Sequence, residues 1–183
     1  MSKTTTENSA AKDDAENAST ETAAERSIAT AEPSRDDKAM ALVNSYVPWS
    51  AAAGLLPLPG VDMAALVTVQ LRMLAKLSEM YQIPFKENAV KGIVSTLLGT
   101  VVSQGLGGGL GSLAKTIPLV GPILGVAMVP GMYSAATYAV GRVFVSHFEA
   151  GGTFLDFDPK KMRAFFVAEF EKAKAQPDLA KAH

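Results

Sequence analysis

From Gly92 to Gly141 the chain reads GIVSTLLGTVVSQGLGGGLGSLAKTIPLVGPILGVAMVPGMYSAATYAVG. Lys115 is the only charged residue in this stretch. It separates a run of 23 uncharged residues, Gly92 to Ala114, from a run of 26, Thr116 to Gly141. At about 1.5 Å per residue, about 20 helical residues cross the roughly 30 Å hydrocarbon core of a bilayer. Each run is therefore long enough to span a membrane as a helix.

The first run is rich in glycine, which costs up to about 1 kcal/mol per residue in an exposed helix interior. In water this run would be a poor helix. In lipid, or in a tightly packed bundle, glycine lets two backbones approach closely, and small-xxx-small spacing is typical of such contacts. Six glycines with this spacing are the predicted membrane and self-association residues: Gly105, Gly107, Gly109, Gly111, Gly121 and Gly125.

Proline and glycine interrupt the chain between the two runs. Pro118, Gly121 and Pro122 follow Lys115 closely, and Pro122 suits the first turn of a returning helix. That helix should kink at Pro130 and continue towards Glu149. The stretch predicts a helical hairpin.

The region before the hairpin predicts two helices. A charge-free run from Ala39 to Val61 predicts a helix over about Asp36–Leu55 with a bend at Pro48. Asp62 is the expected N-cap of a second helix that ends at Tyr81, because a carboxylate accepts bonds from first-turn amides. Apolar residues recur in it every three or four positions, so it is amphipathic.

The two ends of the chain differ from its middle. The first 38 residues hold nine acidic and five basic residues and almost no large aliphatic side chain, which predicts a disordered acidic tail without a secretory signal. Residues 39–158 form the expected helical domain. Residues 159–183 begin with an amphipathic helix, capped by Asp158 and apolar at Phe166 and Phe170. The pattern leaves open whether this helix docks on the domain or lies in a membrane interface.

Composition argues against most site chemistry. A net charge of −1 gives no basic face for nucleic acid, and the absence of cysteine removes thiolate ligands and nucleophiles. The segment Gly109 to Thr116 approaches a phosphate-binding loop but has Ala114 where glycine is needed. His147 is the only internal histidine and is expected to be packed rather than metal-bound. We expect no catalytic, cofactor-binding or metal-binding residue.

Residues 51–62, AAAGLLPLPGVD, begin a pattern that continues through the glycine-rich middle to Gly151-Gly152. Over about residues 39–158 the chain resembles the DUF 697 family, the YcjF-like domain, whose members occur alone, in bacterial inner-membrane proteins and beside small GTPase domains. The resemblance implies membrane association without an established activity. The first 38 residues cannot supply a GTPase domain, so hydrolysis is not carried over, and a separate GTPase is a partner that the resemblance suggests. The positions that match the family's pattern are Pro57, Pro59, Gly60, Asp62, Gln70, Tyr81 and Gly141.

The sequence thus predicts an all-α, non-enzymatic, membrane-associated module that self-associates and serves as an anchor or scaffold for a partner. The expected location is a bacterial inner membrane, with cytoplasmic termini. The competing interpretation is a soluble helical adaptor whose apolar helices are buried against one another or against a partner. A pore or transporter subunit is a weaker third hypothesis, since Lys115 is the only ionisable residue in the hairpin.

Overall fold

The computed structural model describes residues 32–55, 60–103 and 121–176, with the backbone alone described at 102–103 and 121–128. These residues form five α-helices and no strand, which confirms the all-α prediction. The predicted tail up to residue 31 and the hairpin tip at 104–120 lie outside the described residues. The helices are α1 (Arg35–Ala53), α2 (Val61–Tyr81), α3 (Glu87–Ser103), α4 (Gly121–Glu149) and α5 (Pro159–Ala175).

The first two helices have nearly the predicted bounds, and α1 continues through Pro48. The predicted N-cap of α2 is wrong. Gly60 holds the cap position with φ of 89°, and Asp62 is already helical. The left-handed conformation of Gly60 turns its own N–H towards Asp62, whose Oδ1 accepts that bond at 2.9 Å. The carboxylate therefore closes the turn before the helix, and it also interacts with the N–H of Met63 in the first turn.

Helix α4 is the centre of the bundle and packs against the other four helices. It runs antiparallel to α1, because Pro130 lies against Gly54 while Gly141 lies against Val43. It runs parallel to α2, since Tyr133 contacts Asp62 and Glu149 contacts Tyr81. We call the end that holds Gly54, Asp62 and Pro130 the apical end, and the end that holds Tyr81 and Glu149 the basal end.

The remaining helices return from the basal end. Helix α3 begins at Glu87, and Val90, Val94 and Leu97 are buried along it. Helix α5 is capped by Asp158, which accepts bonds from the N–H of Lys160 and Lys161, as predicted.

The structure also decides between the two placements left open for the C-terminal helix. Phe166 and Phe170 are fully buried and Ala173 is nearly so, and α5 packs against α3 and α4. The helix is docked, because its apolar face covers α4.

Aromatic rings fill the basal end of the core. Phe144 stacks on Phe157 with ring centroids 4.5 Å apart, and Phe154 packs against both Phe144 and Phe148. His147 lies beside this cluster with Nε2 3.0 Å from the Thr153 carbonyl oxygen, so the prediction of a packed histidine is confirmed.

Candidate functional site

The apical end exposes apolar side chains that a folded core would normally bury. Trp49 and Leu55, at the end of α1, have 69% and 61% of their surface exposed. Val61 and Met63, at the start of α2, are also exposed. Residues 39–61 carry no charge, and the Asp62 carboxylate follows directly, so this end of the α1–α2 pair is an apolar surface bordered by one charge. Such a patch is typical of a surface that contacts a membrane or another protein.

Both charge-free runs of the sequence reach this same end. Helix α3 ends there at Ser103, and α4 begins there at Gly121. The nine residues of α4 that precede Pro130 extend about 13 Å beyond the level of Gly54. Helix α4 therefore extends past the exposed apolar side chains of α1 and α2.

The basal end has the opposite character. The first turn of α1 is charged at Arg35, Asp36, Asp37 and Lys38, and Lys86 and Glu87 precede or open α3. Tyr81 donates a hydrogen bond to Glu149 Oε1 at 2.6 Å, and the Arg35 guanidinium lies 5.5 Å from the centre of the Tyr81 ring. Burial and the Glu149 carboxylate raise the pKa of Tyr81 far above its usual range. The basal end thus carries many charged side chains beside the exposed Leu155, whereas exposed apolar side chains predominate at the apical end.

Polar side chains tie the apical end of α2 to α4. The Tyr133 hydroxyl donates a 2.8 Å hydrogen bond to Asp62 Oδ2. This bond, followed by the backbone N–H of Met63, holds the pKa of Asp62 below its usual 3.8. Burial, and then the bond to Asp62, raises the pKa of Tyr133 to about 12. At pH 7 the pair is therefore a carboxylate and a neutral phenol.

A second tie lies one layer deeper. Gln70 and Thr137 are both fully buried, and Gln70 Nε2 donates to Thr137 Oγ1 at 3.3 Å. The other amide atom of Gln70, Oε1, is buried without a hydrogen-bond partner. This pair fixes the register between α2 and α4, because an amide left wholly unpaired in the core would cost about 1–3 kcal/mol.

The model of the DUF697 family, described as a domain of unknown function, matches residues 18–175. The chain belongs to this family. It is also similar to magnetosome membrane protein 22 of Magnetospirillum gryphiswaldense, with 42% identity over 149 residues, which cover 81% of this chain and 76% of the relative. No solved structure matches the chain significantly.

In this DUF697 chain the described motif residues are brought together along α4. Gly60, Asp62, Gln70 and Tyr81 each lie at, or next to, a contact between α2 and α4, while Gly141 lies where α4 meets α1. Pro57 and Pro59 lie outside the described residues. The described motif positions thus lie at contacts between helices.

Two of the six glycines predicted to mediate self-association lie in a described helix. Gly121 and Gly125 lie one turn apart at the start of α4. Gly105, Gly107, Gly109 and Gly111 lie outside the described residues, so the structure does not test whether all six share a face.

Three residues of α4 that form hydrogen bonds with α2 were not predicted: Tyr133, Thr137 and Glu149. A hydroxyl every four residues at Tyr133 and Thr137, within an otherwise apolar run, was the available signal.

The described part of this DUF697 chain holds neither a metal-binding cluster nor a membrane-spanning helix. Residues 32–55, 60–103 and 121–176 contain no cluster of three or more histidine, cysteine, aspartate or glutamate side chains suited to a metal ion. Over the same residues, none of the helices combines the length and the apolar character needed to cross a membrane.

Proposed function

We propose that this protein is a non-catalytic, membrane-associated helical module whose apical end enters a bilayer while its charged basal end faces water. The polarity of the bundle carries this proposal, because Trp49, Leu55, Val61 and Met63 are exposed at the end that the uncharged runs reach. The similarity to a magnetosome membrane protein supports it. The family resemblance to bacterial inner-membrane proteins favours that membrane as the location, with cytoplasmic termini.

Apolar transfer is sufficient to hold such an end in lipid. Burying one exposed leucine contributes about 1.5–3 kcal/mol, and a tryptophan suits the membrane interface because its ring is apolar with one polar N–H. The parts of the proposed hairpin that lie beyond the packed segments of α3 and α4 would add to this anchor, because Val94, Leu97 and Val140 are buried within the bundle. The hairpin either spans the bilayer or enters one leaflet.

The glycines at 105–125 support self-association of the embedded part, since small residues let helices pack closely where lipid surrounds them. The charged basal end then remains free to hold a partner at the membrane surface. A GTPase is the partner class that the family resemblance favours. In this proposal the module anchors or scaffolds that partner and turns over no substrate itself.

The alternative is a soluble adaptor in which a partner protein covers the same apical surface. The exposure of Trp49 and Leu55 is compatible with both functions, because protein and lipid both cover apolar side chains. The two functions differ in what the purified chain binds: lipid vesicles alone, or only a protein.

A pair of leucine substitutions tests the proposal. Leu55→Arg places a charge at the apical end, and Leu155→Arg is its matched control, because Leu155 is 78% exposed in the loop before α5 at the basal end. We expect Leu55→Arg to lower partition of the purified chain into lipid vesicles at least about tenfold, and Leu155→Arg to leave it unchanged. Flotation on a density gradient measures both.

Carbonate washing of membranes from expressing cells then separates insertion from peripheral binding. If the wild-type chain neither floats with vesicles nor stays with washed membranes, and is monodisperse without detergent, membrane association is wrong and the adaptor function replaces it.

A further inference from the structure

A groove between α1 and α2 opens on the bundle surface below the apical end. Its volume is about 570 Å³, within the range of small-ligand sites. Tyr46 and Trp49 line it from α1, Arg72 and Lys76 line it from α2, and Leu42 and Val69 supply apolar walls. We call this the α1–α2 groove.

The groove is electropositive. Arg72 and Lys76 are one helical turn apart, so they lie on the same face of α2. No carboxylate is among its described lining residues. Lys76 Nζ contacts Glu79 Oε2 at 2.8 Å, but both side chains are more than half exposed, and such surface pairs contribute little. Within the described parts of the chain, Arg72 forms no ion pair, so its guanidinium is available to an anion.

We propose that the α1–α2 groove binds the phosphate headgroup of an anionic phospholipid, with Arg72 and Lys76 on the phosphate and Trp49 beside the glycerol and upper acyl chain. This inference rests on the proposed function. It adds the class of lipid that the module recognises and the residues that recognise it.

The depth of the groove suits a headgroup. Trp49 is six residues before Leu55, about 9 Å along α1, and Arg72 and Lys76 are ten and fourteen residues after Asp62, about 15 and 21 Å along α2. If the exposed apical side chains enter the hydrocarbon, Trp49 lies at its boundary, where tryptophan is enriched. The long arginine and lysine side chains then extend towards the phosphate layer from below.

The arrangement of the groove favours lipid over an acidic peptide or a free phosphate. A phosphate ion would need the two cations alone, whereas the groove also presents an indole that is 69% exposed, on the side nearest the apolar end. A ligand with an anionic head and an apolar tail fits both features. Guanidinium binds phosphate through two parallel hydrogen bonds, which adds geometric preference to charge.

Vesicle binding by the full chain tests this inference. The probes are vesicles of phosphatidylcholine alone and vesicles in which about a third of the lipid is phosphatidylglycerol. Trp49 is the only tryptophan, so its emission reports binding at the groove directly. The groove variant is Arg72→Gln with Lys76→Gln. The matched control, Lys160→Gln with Lys161→Gln, removes two exposed positive charges from the first turn of α5 at the basal end.

We expect the wild-type chain to prefer the phosphatidylglycerol vesicles. The groove variant should lose about fivefold in partition for each charge removed, roughly twenty-five-fold in all, on those vesicles only. The basal control should change partition less than about twofold, because the basal charges lie beyond the screening distance. Melting temperatures of both variants check that the fold is intact.

Each other outcome overturns the inference in a distinct way. Equal losses in the two variants would indicate diffuse charge attraction and no site. Binding to both vesicle types without preference would leave the proposed function standing and remove the headgroup site. A shift of Trp49 emission by soluble glycerol phosphate, equal to that by vesicles, would make the ligand a free phosphate; a shift by polyglutamate alone would make it an acidic peptide. Failure to bind any vesicle would reject both proposals.

Discussion

Gly141 lies where the bundle leaves no room for a side chain. A Cβ added there would lie 2.4 Å from Val43 Cγ1 and 2.5 Å from Cγ2, and Val43 is fully buried. Valine is stiff at χ1, so it cannot easily rotate away. The absence of a side chain at Gly141 is therefore what lets α1 and α4 approach closely.

We expect Gly141→Ala to lower the free energy of unfolding by about 1–3 kcal/mol, the usual cost of overpacking a core. Gly131→Ala on the same helix is the control, because nothing lies within 4 Å of its added Cβ, and alanine there should stabilise by up to about 1 kcal/mol. Urea unfolding measures both. Adding Val43→Ala should recover part of the loss, and equal effects of the two glycine substitutions would contradict the close approach.

Ionisation of Asp62 contributes to the stability of the fold. Its pKa is lowered chiefly by the Tyr133 hydroxyl, so the unfolded chain binds more protons than the folded chain at pH values between the two pKa values. Stability rises with pH in that window. The contribution is complete well above pH 3.8 and is lost as the pH falls through the folded pKa.

Tyr133→Phe should therefore move the pKa of Asp62 upward towards 3.8 and cost about 1 kcal/mol of stability at pH 7. Tyr138→Phe on the same helix is the control, since Asp62 is not among the causes of the raised pKa of Tyr138. Titration of the Asp62 side-chain carbon by nuclear magnetic resonance measures the shift. An unchanged pKa in Tyr133→Phe would show that the hydrogen bond does not form in solution.

At the scale of the helices, local signals predicted most of the described fold. Pro159 after Asp158 predicted the start of α5, and the periodicity up to Tyr81 predicted the extent of α2. These signals are contained within one turn or one face of a helix. The bond between Asp62 and Tyr133 could not be predicted, because Tyr133 is 71 residues away.

Only the apolar composition of the candidate site could be predicted from the sequence. The uncharged runs showed that part of the chain is apolar, but periodicity within a helix does not say at which end of a bundle that helix will meet the others. That information lies in contacts such as Gly54 with Pro130 and Tyr81 with Glu149. The groove is formed by side chains of both α1 and α2. Neither the aromatic residues of α1 nor the basic residues of α2 predicted it alone.

The start of α4 is the element on which the proposed self-association would depend. Gly121 and Gly125 lie one turn apart in it, so they present a narrow face to a second helix. We expect Gly121→Val with Gly125→Val to shift the chain in mild detergent from oligomer to monomer, as measured by light scattering. Gly131→Val is the control from the same helix, since its surroundings are open. An oligomer that survives the paired substitution would place the interface elsewhere.

At the scale of the whole molecule, the proposed function requires one orientation. The apical end enters lipid, and the basal end, with its charged first turn of α1 and the loop at Leu155, stays in water. A bundle lying flat on the surface would instead bring both ends to the same depth. The polarity of the bundle thus predicts its orientation in the membrane. This orientation can be measured without knowledge of the partner.

Quenching by lipids brominated on the acyl chain measures that orientation. Trp49 in the wild-type chain should be strongly quenched by bromine near the top of the chain, because it lies at the hydrocarbon boundary. In the second protein, Trp49→Phe with Leu155→Trp, the only indole is at the basal end and should remain unquenched, since the length of α2, about 30 Å, separates the two ends. Equal quenching of the two proteins would mean that the bundle lies flat. Quenching of the basal indole alone would reverse the orientation, and the surface that holds the partner would then be the apical one.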